Sequence, residues 1–209
     1  MKHEWKKAEK QLYLPSAKPQ YISVPTFKFF TIEGQGNPND DFFAHYVGVL
    51  YSLSYGVKMS LRKGIPVKGY TDYTVYPLEG IWSLSEEGIR SFNGKIDKNT
   101  LTFKLMIRQP DFVEEDFAWH VLEQTKKNKP HELLEQVSYE ALADGDCIQM
   151  LHLGSYDNEP ESFKQMERYA QQEGYLRTSK DHREIYLSDA RKVSPDRLKT
   201  VLRFGVEKE

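Results

Sequence analysis

The sequence predicts an α+β fold made of two related halves. Segments in which apolar and polar residues alternate stand apart from segments with three-to-four spacing, and the succession strand, glycine turn, helix, strand occurs twice. Each glycine turn also leads into a helix-start signal of Asn, Pro and acids. With 209 residues the chain is long enough for one domain or two small modules around a substantial core.

Residues 1–26 are polar and aperiodic and contain Pro15 and Pro19, so they read as an N-terminal arm, loosely attached or forming a short helix. The core region, 27–209, opens with FKFFTIEG (27–34), a strand. Asn37-Pro38-Asn39-Asp40-Asp41 supplies a cap, a proline whose missing N–H costs nothing, and first-turn acids. In the helix that follows, Phe43, Val47, Leu50, Ser54, Val57 and Leu61 form one stripe, ended by Gly64. DYTVYPLEG (72–80) reads as a strand, and so does 100–108, where Leu101, Phe103, Leu105 and Ile107 share a face. After Pro110, residues 111–129 return to helical spacing through Val113, Phe117, Ala118, Val121 and Leu122, with Trp119 pointing away. Asp144-Gly145 between two alternating runs predicts a hairpin over 137–153. A helix containing Phe163, Met166, Tyr169 and Ala170 stops at Gly174, and a strand follows at 182–187. TIEGQGNPNDDFFAHY and LHLGSYDNEPESFKQM run parallel element by element, which divides the core into modules of about 27–130 and 131–209 with a cleft at their junction.

Composition narrows the function. Lys plus Arg, 29, nearly cancels Asp plus Glu, 31, and no basic block exists, so nucleic acid is not an expected direct partner. No apolar run approaches the roughly 20 residues of a membrane span, and the charged start MKHEWKKAEK leads into no apolar stretch, so a soluble, cytoplasmic protein is expected. The single Cys147 excludes an internal disulfide, clustered Cys/His zinc spacing is missing, and Cys147 reads as a small buried strand residue. No metal or cofactor is expected. The glycines of IEGQGNP are too close together and too proline-bound for a phosphate loop. What stands out instead is aromatic content: 13 Tyr, 11 Phe and 3 Trp.

Several residues are candidates for the site. In the last strand, period two puts Glu184 and Tyr186 with His182 on one face, and Ile185 and Leu187 on the other. If Ile185 and Leu187 cover the helices, Glu184 faces away from them. There it is either a desolvated base or anchor for a cationic ligand, or a carboxylate on a solvated face. Glu79, just before Gly80, is a second ligand carboxylate or a loop acid. Trp82 walls a ligand or plugs the core, Trp119 meets ligand, partner or water, and Tyr156 packs on the chain or points its hydroxyl into the cleft. His120 and His152 read as hydrogen-bonded core histidines.

Taken together, YPLEGIWS (76–83), LMIRQPDFV (105–113), CIQMLHLGSYDNEP (147–160), HREIYLSDARK (182–192) and LKTVLRFGV (198–206) resemble the stand-alone branch of the GyrI-like family of small-molecule-binding domains. That resemblance implies two tandem strand-helix-strand-strand (SHS2) modules related by a pseudo-two-fold axis, with a central cleft for a planar, apolar small-molecule ligand. The family pattern His-His-Glu-Ile-Tyr-Leu-Ser-Asp-Pro-Arg places its glutamate in the pocket, and Glu184 matches it. This chain departs from the pattern at Arg183 and Ala190, and the extra cation at Arg183 bears on the acidity of Glu184.

Some relatives are effector domains fused to DNA-reading helix-turn-helix segments, for which 26 residues before Phe27 are too few. Others bind drugs or modulate gyrase. A stand-alone group resembles hydrolases of cyclopropanoid DNA-alkylating cytotoxins. By that resemblance Glu184 deprotonates water, Tyr186 or Tyr156 donates a hydrogen bond to the developing oxyanion, and Trp82, Trp119 and Tyr186 hold the flat toxin. The alternative is a non-catalytic drug-sequestering or effector-sensing module.

Overall fold

A computed structural model describes residues 2–209. In chain order the elements are α1 (Trp5–Ala8), α2 (Lys10–Tyr13), β1 (Gln20–Gln35), α3 (Asp41–Lys58), β2 (Leu78–Leu84), α4 (Glu86–Ser91), β3 (Leu101–Gln109), α5 (Glu115–Asn128), β4 (Ser138–Leu153), α6 (Glu159–Gln172), β5 (Tyr175–Arg177), β6 (His182–Tyr186) and β7 (Lys199–Lys208). The fold is α+β with antiparallel pairing, as the periodicities predict. Two compact units divide the chain, and the chain changes unit at Ala143.

One unit is built chiefly from Phe27–Leu78 and Trp82–Leu142. Its strands run in the order β4, β1, β3, β2, and the antiparallel β1–β3 register sets Phe30 against Ile107 and Ile32 against Leu105. These residues are fully buried, as are Leu50, Leu53 and Val57 of α3 and Ala118 of α5.

The other unit comprises Trp5–Thr26, Glu79–Ile81 and Ala143–Glu209. Strand β7 is its spine, pairing antiparallel with β4 along one edge and with β6 and then β5 along the other. On the face toward α6, Ile148, Met150, Leu202, Phe204 and Val206 pack against Met166 and Ala170. Burying each of the larger of these side chains contributes roughly 1.5–3 kcal/mol, which fixes α6 over the sheet.

Several sequence expectations change. Of the two readings of the N-terminal arm, a loose attachment and a short helix, residues 2–26 follow the second, with two short helices. Trp5 and Tyr13 are buried with ring centroids 5.1 Å apart, and β1 starts at Gln20 rather than Phe27. The carbonyls of Gln11, Leu12 and Ser16 accept hydrogen bonds from Gln149, Arg203 and the Leu151 amide. Because backbone bonds and two isolated aromatic side chains, not an amphipathic stripe, hold this segment, no periodicity announces it.

The predicted strand 72–80 is largely irregular, with a single bridge from Tyr73 to His3, and the strand proper is Leu78–Leu84. Helix α3 ends at Lys58, leaving Leu61 exposed in a 3₁₀ turn. The hairpin expected over 137–153 is one continuous strand, β4. Gly145 adopts φ 66°, a left-handed conformation that suits glycine, but here it bends a strand instead of reversing it. The adjacent Asp144 is held by buried arginines, which ties this half-buried dipeptide into the strand.

A buried carboxyl pair as the candidate functional site

Residues paired across antiparallel strands point their side chains to the same face. Glu184 pairs with Leu202, and Leu202 belongs to the α6-facing core. Glu184 therefore faces α6, not away from it as expected. The opposite face carries Arg183 and Ile185.

Helix α6 meets Glu184 with Glu159. This residue sits in the first turn beside Pro160, and it lies on the same stripe as Ser162, Met166 and Ala170. Glu159 and Glu184 are both buried. One carboxylate oxygen from each, with one imidazole nitrogen of His182, all lie within 4.8 Å of one another. His182 Nε2 is 3.0 Å from Glu184 Oε1. The ring of His182 is held edge-on by Phe163 at 4.6 Å, and Arg177 caps Phe163 while binding the carbonyls of Ser179, Lys180 and Asp181 just before β6.

Two acids this close cannot both ionise cheaply. The helix N-terminus favours a carboxylate at Glu159 by about 0.3–1 kcal/mol, but burial and the facing Glu184 outweigh it. Burial first, then the charge of Glu184 and a hydrogen bond to it, push the Glu159 carboxyl up to about 10. At neutral pH Glu159 is thus a neutral acid beside Glu184, with His182 behind. The three donors are of the kind that could hold a divalent cation; with the proton on Glu159 the site shares a proton.

Two tyrosines border the pair. Tyr186 follows Glu184 on the same face, and Tyr156 meets it edge-on at 6.0 Å. Burial, then the carboxylates of Glu184, Glu159 and Asp189, push the Tyr156 hydroxyl up to about 12, so it remains a hydrogen-bond donor. The turn carrying Tyr156 and Glu159 is anchored by buried His152, whose Nδ1 is 2.8 Å from Ser162 Oγ and whose Nε2 donates to the Ser155 carbonyl at 3.0 Å. His152 is the core histidine expected, whereas His120 is exposed.

The remaining predicted residues have partners of their own. Glu79 is buried on the other side of the β6 strand, 2.9 Å from Arg183, and Arg183 also binds Asp144 at 2.5 Å. Asp144 in turn binds Arg203 at 2.9 Å. Burial pushes the Glu79 carboxyl up, against the pull of Arg183 and Arg203, and Arg183 pairs with it directly. Burial also works against the charges of Asp144 and Arg183, but their mutual attraction wins: Asp144 is held below the usual carboxylate range and Arg183 above its own. Arg183 is therefore no cation for Glu184.

Trp82, 5% exposed, packs in the first unit on Phe43 and Phe103 at 5.9 and 5.5 Å. Trp119 lies on the surface of α5, its indole N–H donating to Glu115. Cys147 is buried, and burial pushes its thiol up to about 12, leaving it unreactive.

Two tyrosines beside a buried acid pair, on an α+β fold, give the site its chemistry. The GyrI-like small molecule binding domain matches residues 17–207, and the chain belongs to that family. Two solved structures of Listeria innocua hydrolases are similar to it at 32% and 34% identity. Their TM-scores are 0.88 and 0.89, with 99% of this chain and 100% of each of those chains covered. The C-terminal domain of EcmrR shares the fold alone, at 14% identity and a TM-score of 0.53 over 92% of this chain and 98% of that one. No curated protein sequence matches. No helix among the described residues is long and apolar enough to cross a membrane.

Proposed function

We propose that this chain hydrolyses cyclopropanoid DNA-alkylating compounds by adding water, with Glu184 as the base. The observation that carries the reading is the buried Glu159–Glu184 pair, in which burial and the facing carboxyl keep a proton on Glu159. Glu184 accepts a proton from water as the water oxygen bonds to the cyclopropane carbon. The carbon–carbon bond to the ring breaks, and its electrons pass through the conjugated ketone to the oxygen, which becomes a phenol on protonation. Tyr156 or Tyr186 donates a hydrogen bond to that oxygen as charge develops. His182 holds the Glu184 carboxylate in place. No charge-balancing lysine or arginine is needed, because Glu159 stays neutral. The hydrolase description of the Listeria innocua relatives supports this reading.

Purified protein incubated with a cyclopropanoid alkylator is expected to yield the water adduct by mass spectrometry. Glu184→Gln should slow its formation about 10²- to 10⁴-fold. Equal rates for the two proteins would overturn the mechanism.

The acidity of the site favours a second reading. Around Tyr156 stand Glu159, Glu184 and Asp189, all raising its hydroxyl pKa, which suits sequestration of a cationic drug. Stoichiometric protection with unchanged ligand would identify that activity in the same assay.

A further inference from the structure

Two buried side-chain oxygens of this unit have no hydrogen-bond partner among the described residues: Glu159 Oε1 and Thr200 Oγ1. Thr200 is 1% exposed and Glu159 7%. Leaving a buried hydroxyl unpaired costs about as much as losing a hydrogen bond, so such atoms are rare and mark a missing water or ligand.

Their positions are tied together by register. Thr200 is the cross-strand partner of both Tyr186 on one side and His152 on the other, so the three side chains form one row on the α6 face. His152 reaches Ser162 of α6 at 2.8 Å, and Glu159 lies one helical turn before Ser162. The next row of the sheet is Glu184, Leu202 and Met150. Thr200 thus stands beside the Glu184 row and beneath the helical turn that carries Glu159.

We infer that Thr200 and Glu159 together hold a buried water beside Glu184, and that this water is the nucleophile of the reaction proposed above. A threonine hydroxyl both donates and accepts, so it orients the water with a lone pair free and one O–H toward Glu184. As the C–O bond forms, that O–H breaks and its proton passes to Glu184. The second half of the inference rests on the hydrolytic reading; the water site does not.

The test joins a high-resolution crystal structure to kinetics on Thr200→Val and Thr200→Ser. A water is expected about 2.6–3.2 Å from Thr200 Oγ1 and from Glu159, absent in the valine variant. Thr200→Val should lower kcat about tenfold with KM unchanged, while Thr200→Ser stays within about threefold because it keeps the hydroxyl.

If the hydroxyl is idle, valine removes an unpaired buried group: Tm rises, kcat does not move, and the nucleophile role is overturned. A Thr200 hydroxyl seen with no partner overturns the site whatever the turnover. If the water is present and lost in Thr200→Val but the wild-type protein gives no product, the water site stands and the hydrolytic reading falls.

Discussion

Arg183 and Glu184 are neighbours in one strand, yet they enter opposite electrostatic settings. On the Arg183 face, Glu79 and Asp144 are matched by two guanidiniums at 2.5–2.9 Å, and the four charges cancel. On the Glu184 face, two carboxyls have one imidazole between them. Both faces bury acids, but only the second leaves a proton in play. A buried carboxylate satisfied by arginine is structural; one facing another carboxyl is poised for chemistry.

The comparison can be tested from its strongest side. Arg183→Ala leaves Glu79 and Asp144 buried with half their cations and is expected to cost about 3–5 kcal/mol in chemical denaturation. A loss below about 1 kcal/mol would mean the network is not structural.

Glu159→Gln tests the other face through pH. The Glu159 carboxyl is raised in the folded protein to about 10 from 4.5, so the folded state holds a proton that the unfolded chain releases. Its contribution is fully present below 4.5 and is lost as pH rises toward 10, at up to about 1.4 kcal/mol per pH unit. Glu159→Gln should flatten that decline across pH 5–9 in urea midpoints; an unchanged slope would place the titrating group elsewhere.

The smallest effect belongs to a solvent-exposed counterpart of the Arg183 network. Arg191 binds Asp189 at 2.9 Å on the surface, and Arg191→Ala should shift stability by less than about 0.5 kcal/mol. A larger shift would show that burial is not what separates the ion pairs.

Much of the fold is legible where one face is buried and the spacing records it: α3, α5 and β3 declare themselves. Asp144-Gly145 misleads because turn chemistry and a buried arginine ligand use the same residues. Residues 2–26 mislead because carbonyls and two isolated aromatic side chains, not a periodic stripe, attach them.

The site is half legible. Glu184 emerges from its motif, but its face depends on which side of β7 the helix covers, a property of pairing rather than of the strand's own pattern. Glu159 reads as an ordinary first-turn acid. The clue was its place, at steps of four, three and four, on the stripe running through Phe163, Met166 and Ala170: a carboxyl in a core position.

The bond from Arg203 to the Leu12 carbonyl spans 191 residues. The segment that carries Trp5 and Tyr13 is therefore made long before the strand that holds its Leu12 carbonyl. Contacts of such separation slow folding, and chains interrupted between the two should associate more readily than chains that reach past β7.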